Sequence, residues 1–166
     1  MLTSTAQHLP AESGGIARLL QIANGALARL ADPFAFATRL YVSWQFLKSG
    51  YIKVSSWDTT LSLFRDEYHV PLLPPDLAAV VGTFGELCFP VLVILGLFGR
   101  LSAAGLFAVN AMAVISYAHV LLAEGYEAAL GQHVLWGYML VMLAIHGPGA
   151  WSLDRLLGAR VGATRG

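Results

Sequence analysis

Charged residues and cysteines are both scarce in this chain of 166 residues. Asp, Glu, Lys and Arg make up 12 % of it, whereas a soluble domain carries about 25 %, which argues against a soluble protein. The formal net charge is zero, so no basic excess is available to bind nucleic acid. A single cysteine, Cys88, excludes an internal disulfide and a multi-cysteine metal or iron–sulfur site within the chain. The N-terminal stretch lacks the charged-then-apolar order of a secretory signal, so we expect the first spanning helix to direct insertion.

Hydrophobic residues are correspondingly abundant, at 57 % of the chain. A helix that spans a bilayer needs about 20 mainly apolar residues. Three stretches have this length and contain at most one charged residue: 77–99, 101–123 and 128–153.

A fourth apolar stretch, residues 33–54, carries the basic residues Arg39, Lys48 and Lys53. Its aromatic and aliphatic residues recur at helical spacing, and Pro33 suits a first helical turn. An amphipathic helix on the membrane surface is the alternative, but an even number of spans agrees with the distribution of Lys and Arg. The sequence therefore predicts an all-α membrane protein: a four-helix transmembrane bundle with amphipathic terminal helices and a long first periplasmic loop.

Basic residues are unevenly distributed between the two sides that four spans create. The side with both termini contains most of the arginines: Arg18, Arg29, Arg100, Arg155, Arg160 and Arg165. Because Lys and Arg are enriched on the cytoplasmic side, we expect a multi-pass inner-membrane protein with both termini in the cytoplasm. The expected parts are an amphipathic cytoplasmic segment (1–32), a four-span membrane domain (33–150) and an interfacial cytoplasmic tail (151–166).

The loop after the first span begins SSWDTTLSLFRDEYHVPLLPPDL and is the longest in the chain. Its large apolar residues recur on one helical face: Trp57, Leu61, Phe64 and Tyr68. Ser55 or Ser56 can cap this short helix, and Asp76 can cap the second span after the prolines. The short helix either packs on the bundle or covers a site that opens to the periplasm.

Glu86 lies inside the second span, where ionisable residues are rare and usually face the bundle interior or a water-filled cavity. Pro90, four residues later, removes the helical hydrogen bond to the Glu86 carbonyl. The carboxylate and the carbonyl together form a polar notch that needs hydrogen-bond donors. Gly82 and Gly85 would let a neighbouring helix approach it closely.

Arg39 is the donor that we expect to fill this notch. Its depth in the bilayer differs from that of Glu86 by about 7 Å, and a guanidinium can bond both carboxylate and carbonyl. Lys48 is nearer in depth but lies on the opposite face of the first span, and we place Lys53 and Arg100 at the pocket edges. The pair either only fixes the helix register or forms a quinone or proton site.

Three histidines, His69, His119 and His133, fall on the expected periplasmic side. Imidazoles on different helices can ligate haem, copper or zinc. None of the tight spacings of metal-binding motifs is present, so we expect no tightly bound metal. Asn110, in the middle of the third span, is expected to hydrogen-bond to a neighbouring helix.

Two motifs resemble those of the DoxX family. RLYVSWQFLKSGYIK resembles its first-span pattern, with Arg39, Phe46, Gly50 and Lys53, and GELCFPVLVILGLFGR resembles its second-span pattern, which runs from Gly85 to Arg100. The resemblance covers roughly residues 34–157. It implies a four-helix inner-membrane protein associated with redox systems, including quinone-linked oxidation of thiosulfate. The loop LFRDEYHVPLLPP resembles a subgroup found beside enzymes that modify copper-binding peptides.

Three functions are compatible with the residues and the resemblance together, and the third, besides the two below, is a purely structural membrane subunit. The first is a membrane subunit of a redox system that works with a protein partner and has a quinone as its candidate cofactor. The alternative is a non-enzymatic transporter or anchor that assists export or maturation of a metal-binding peptide or other small product. No nucleophile–base pair or cofactor fingerprint is visible, so the sequence leaves open whether the chain is itself an enzyme. A homo-oligomer is compatible with either function.

The expected orientation predicts which positions can be labelled from the periplasm. A cysteine introduced at Thr60 should react with a membrane-impermeant thiol reagent added to that side, and one at Thr164 should not. Reaction at both positions, or at Thr164 alone, would contradict this topology.

Overall fold

The computed structural model describes residues 13–163, with side chains described for residues 15–158. Over that range it is built from helices joined by short turns and contains no strand. The helices are α1 (Ser13–Ser55), α2 (Trp57–Asp66), α3 (Pro75–Leu95), α4 (Gly99–Ser116), α5 (Ala118–Leu121), α6 (Glu127–His146) and α7 (Leu153–Ala163).

Helix α1 is 43 residues long and has Pro33 inside it. It joins the described part of the expected N-terminal segment to the expected first span without a break. Residues 1–12 of that segment, and Arg165 of the tail, lie outside the described residues.

Among the described residues, three helices are long and apolar enough to cross a membrane: α3, α4 and α6. They coincide with the three most apolar stretches of the sequence. Helix α6 ends at His146, at the start of the helix-breaking HGPG, whereas α3 and α4 end earlier than expected. Helix α3 stops because Gly96 adopts a left-handed conformation (φ 64°). Helix α4 stops at Ser116, whose carbonyl accepts a hydrogen bond of 2.9 Å from the backbone N–H of His69 in the loop after α2. The next four helical residues form the separate helix α5.

The long helices α1, α3, α4 and α6 pack side by side, and neighbours run in opposite directions. Each contributes to one apolar core, which consists of Val42, Phe46, Val93, Ala103, Leu106, Leu140 and Leu143. Their outer faces expose large apolar side chains such as Trp44, Phe84, Leu101, Tyr138 and Ile145. Apolar residues on both the inner and the outer side of a helix are typical of a protein surrounded by lipid.

Helix α2 folds over one end of α3. Phe64 packs against Ala78 and Ala79, with Trp57, Leu61 and Tyr68 around them, so the predicted apolar face of the loop helix is the face that packs. Asp76 does not cap α3, because it lies within the first turn, where its carboxylate accepts two hydrogen bonds from Arg65 at 2.7 and 2.8 Å. That pairing raises the pKa of Arg65.

Thr60 is also buried in this contact, at 3 % exposure. The exposed neighbour Thr59 is therefore the better position for labelling from this side. Thr164 lies outside the described residues, and Gly158, which is exposed, can replace it.

Two glycines let α3 and α4 approach closely. A Cβ on Gly85 of α3 would lie 2.8 Å from Val109 Cγ2, and a Cβ on Gly105 of α4 would overlap the ring of Phe89. Because the opposing atoms belong to packed side chains, any larger residue would force the helices apart.

We predict that Gly105→Val lowers the thermal stability of the protein in detergent, at a cost of about 1–3 kcal/mol from overpacking. Gly131→Val in α6 is the matched control, since nothing lies within 4 Å of a Cβ built there. Equal melting temperatures for the two variants would contradict the close α3–α4 contact.

Candidate functional site

The most buried ion pair in the described structure joins Lys53 of α1 to Glu86 of α3. The ammonium nitrogen of Lys53 lies 2.7 Å from Oε1 and 2.6 Å from Oε2 of Glu86, and it also donates to Ser49 Oγ at 2.8 Å. The side chains are only 14 % and 10 % exposed. Each of the three ammonium protons thus has an acceptor. One of these acceptors, Ser49 Oγ, belongs to the preceding turn of the same helix.

Two features of the fold bring this pair together. Gly50 lies against Glu86 and Leu87, where a Cβ would be 3.2 Å from Glu86 Cβ and 2.8 Å from Leu87 Cδ2. The missing side chain therefore lets α1 and α3 approach at the level of the pair. On the outer side, Thr60 of α2 donates to the Lys53 carbonyl at 3.0 Å and so holds α2 over the end of α1.

The structure does not form the expected Arg39–Glu86 pair. Arg39 lies beside Gly96, which follows Glu86 by ten residues, or about 15 Å of helix. The expected difference in depth between Arg39 and Glu86 was too small. Both depths were counted as if each helix entered the bilayer at its first apolar residue. In fact the first turns of α3 extend past the end of α1 and pack on α2, so Glu86 is level with Gly50 and Lys53.

Arg39 is buried, at 1 % exposure, and serves the opposite end of the bundle. Its Nη2 donates to the carbonyl of Trp151, in the turn between α6 and α7. The guanidinium carbon lies 5.2 Å from the centre of the Phe36 ring, and that ring contacts Trp151 edge-on. Its Nε and Nη1 have no partner among the described residues. We name this region the Arg39 end and the opposite region the α2 end.

The other expected pocket residues do not join the pair. Lys48 lies between Arg39 and Lys53 in the sequence of α1, and its side chain is exposed. Arg100 is exposed at the Arg39 end, near Gly147. Pro90 is buried inside an unbroken α3, and Lys53 bonds the Glu86 carboxylate. The predicted single pocket therefore corresponds to two separate polar regions.

A second polar contact joins α4 to α6. Asn110 Nδ2 donates to the His133 carbonyl at 2.9 Å, and Asn110 Oδ1 lies 2.8 Å from His133 Nδ1. The expected interhelical role of Asn110 is therefore confirmed. Because Gly85 packs on Val109, this contact and the Glu86 pair lie at a similar level, and all four long helices contribute a polar side chain there.

The three histidines do not converge. His69 and His119 lie together at the α2 end, with ring centres 4.6 Å apart, whereas His133 contacts Asn110 and Trp136. Among residues 13–163, no three His, Cys, Asp or Glu side chains are grouped closely enough to hold a metal ion.

Tyr68 and Tyr117 contact each other edge-on beside these histidines and continue the aromatic packing from Phe64. Burial raises the pKa of Tyr68, and the neighbouring Tyr117 and Glu86 raise it further.

Sequence reasoning named Lys53 only as a pocket edge, and it missed Ser49 and Thr60. The sequence did contain a pattern that indicated a role for Lys53. Arg39, Phe46 and Lys53 follow one another at intervals of seven residues and therefore share one face of α1. The spacing could not reveal which of the two basic residues is level with Glu86, since that depends on how α1 and α3 are offset.

The DoxX family model matches residues 34–120, which is 87 of the 166 residues. The chain belongs to the DoxX family. The matched region contains both partners of the ion pair as well as Gly50, Gly85 and Arg39, but it ends before α6. Together with the three apolar helices, it identifies a multi-pass membrane protein in contact with the lipid bilayer. No curated protein and no solved structure is significantly similar to the chain.

A double-mutant cycle should detect the Lys53–Glu86 pair. We expect Lys53→Met and Glu86→Leu each to lower the free energy of unfolding in detergent by about 3–5 kcal/mol, because each leaves a buried charge without a partner. The double variant should lose about 1–3 kcal/mol less than the sum.

The matched control is the cycle of Arg39→Met with Glu86→Leu, which should be additive within about 0.5 kcal/mol, since these residues are not in contact. Strong coupling of Glu86 to Arg39 and none to Lys53 would restore the pairing expected from the sequence.

Proposed function

We propose that this DoxX protein is a membrane subunit of a redox system and that the buried Lys53–Glu86 pair is its proton-handling and quinone-binding site. The pair itself is the observation that carries the proposal. Two charges in an apolar bundle are costly to desolvate, and apolar residues of similar size often stabilise a fold as well or better. Ionisable residues inside membrane spans are accordingly functional candidates.

The chemistry of the site suits a quinone. A bound quinone would accept two electrons and two protons from its surroundings. The Lys53 ammonium could donate to a quinone carbonyl oxygen in place of Ser49 Oγ, and the Glu86 carboxylate can hold or release a proton at Oε1 or Oε2. Both side chains retain a small exposed fraction, at 14 % and 10 %.

Buried donors without partners support the same assignment. Among the described residues, Thr83 Oγ1 and Trp136 Nε1 are buried and have no hydrogen-bond partner. Thr83 is one turn before Glu86 on α3, and Trp136 is one turn after His133 on α6. Buried donors usually have an acceptor, so these two groups are available to a carbonyl oxygen.

The membrane arrangement belongs to the same proposal. We infer that residues 33–55 of α1 form a fourth span, because Val42 and Phe46 share the core while Tyr41 and Trp44 are exposed on the outer side. Most of the acidic residues lie at the α2 end and most of the exposed arginines at the Arg39 end, which favours an inner-membrane protein with the Arg39 end in the cytoplasm. A protein partner would exchange electrons with the site.

Binding of a short-chain ubiquinone tests this function. The purified protein would be placed in lipid nanodiscs, and quenching of tryptophan fluorescence would be followed as the quinone is added. We expect saturable binding that weakens by about tenfold or more in Glu86→Gln and in Lys53→Gln, because each variant loses a charged hydrogen bond.

Lys48→Gln is the matched control, since it removes an exposed charge from the same helix, and it should bind as the unaltered protein does. Melting temperatures would show that the variants are folded. If binding is not saturable, or if Glu86→Gln binds equally well, the pair only fixes helix register. The transporter or anchor hypothesis then becomes the stronger one.

A further inference from the structure

An apolar stripe runs along the outer face of α1 for its whole length. Ile16, Phe34 and Ile52 are each 18 residues apart, which is five full helical turns, so they lie on the same side. They are 65 %, 75 % and 65 % exposed. In the second half of α1 this face points away from the bundle toward lipid, and the first half continues the same face.

The opposite face of the first half does not prolong the bundle core. The residues 18 positions before Arg39, Val42 and Phe46 are Gln21, Asn24 and Ala28. These are polar or small, whereas the residues that they align with are buried. The first half of α1 is therefore amphipathic, and its apolar side is the side that faces away from the bundle axis.

Helix α1 is so long that, if it were straight, the apolar side of its first half would be exposed to water. Its 43 residues span about 64 Å, roughly twice the hydrocarbon thickness of a bilayer. If α1 crossed the membrane without bending, the apolar residues of its first half would lie in water: Ile16, Leu19, Leu20, Ala23, Leu27 and Leu30.

Pro33 provides a place for the helix to bend. It lacks an N–H and so cannot donate to the Arg29 carbonyl. Asp32 accepts a hydrogen bond of 2.6 Å from the backbone N–H of Ala150, which anchors α1 to the bundle at that point. A bend there toward the outer side would turn the apolar stripe onto the bilayer surface.

The basic residues at the Arg39 end indicate which kind of membrane surface this segment binds. Arg18 and Arg29 lie on the polar face of this half of α1, with Gln21 and Gly25 between them, and both arginines are exposed. No Asp or Glu occurs between residues 13 and 31. Within the part of the chain that the structure describes, the carboxylates at this end are Asp32 and Asp154, and both accept bonds from backbone N–H groups.

We propose that residues 13–32 bind the headgroup layer of anionic phospholipids. Helix α1 bends at Pro33, its apolar stripe enters the upper acyl layer, and Arg18 and Arg29 bind lipid phosphates on the water-facing flanks. The exposed Arg100 and Arg155 lie at the same end of the bundle and extend the basic surface. This interaction is independent of the Lys53–Glu86 site.

Depth-dependent quenching tests the proposal on the full chain. A fluorescent probe would be attached through Leu27→Cys or Gln21→Cys in a Cys88→Ala background, in nanodiscs of phosphatidylcholine with or without phosphatidylglycerol. With the anionic lipid, the probe on Leu27→Cys should be quenched by spin-labelled acyl chains and protected from aqueous iodide. The probe on Gln21→Cys, on the polar face, should show the reverse.

Charge dependence separates anionic binding from simple partitioning. The quenching of the Leu27→Cys probe should fall severalfold when phosphatidylglycerol is omitted, or when Arg18→Gln and Arg29→Gln are introduced together. Arg65→Gln, at the opposite end, is the matched control and should change nothing. A Leu27→Cys probe that is open to iodide with both lipids, or a disulfide formed between two copies of Leu27→Cys, would overturn the proposal, and the disulfide would assign the stripe to a second copy.

Discussion

The attraction between Lys53 and Glu86 constrains the rest of the bundle, because neither charge is stable alone in an apolar interior. The contact requires α1 and α3 to approach closely, which Gly50 permits, and it fixes how the two antiparallel helices are offset. That offset leaves the first turns of α3 extending past α1. Helix α2 covers them with Phe64 and is held in place through Thr60 and the Lys53 carbonyl.

The Arg39 end also contains a buried charge, but different groups contact it. The buried guanidinium bonds the Trp151 carbonyl and lies over the Phe36 ring, while Asp154 accepts from the backbone N–H groups of Phe98 and Gly99. These contacts tie the turn after α6 to both α1 and the α3–α4 turn. One end of the bundle thus holds a buried ion pair, and the other holds a buried arginine with exposed arginines around it.

The two ends of the bundle also differ in the segments that cover them and in the surfaces that they expose. At the α2 end, helix α2 packs on the first turns of α3 and bonds the Lys53 carbonyl through Thr60, and Tyr68 contacts Tyr117 edge-on. At the Arg39 end, exposed arginines and the exposed apolar face of α1 form the surface that we propose binds the bilayer. The Lys53–Glu86 pair and this amphipathic segment therefore lie toward opposite ends of the same long helix.

The sequence alone determined the all-helical class, three of the spans and the DoxX resemblance, because apolar length and local motifs are properties of contiguous residues. It also identified Glu86 as the unusual residue and Asn110 as an interhelical contact, since polar groups inside a span must find partners. Only the tertiary structure decided that Lys53 rather than Arg39 meets Glu86, and that His133 lies apart from His69 and His119. These outcomes depend on how antiparallel helices are offset. The offset is set by the Lys53–Glu86 contact, the glycine contacts and the packing of α2, which no spacing within a single helix encodes.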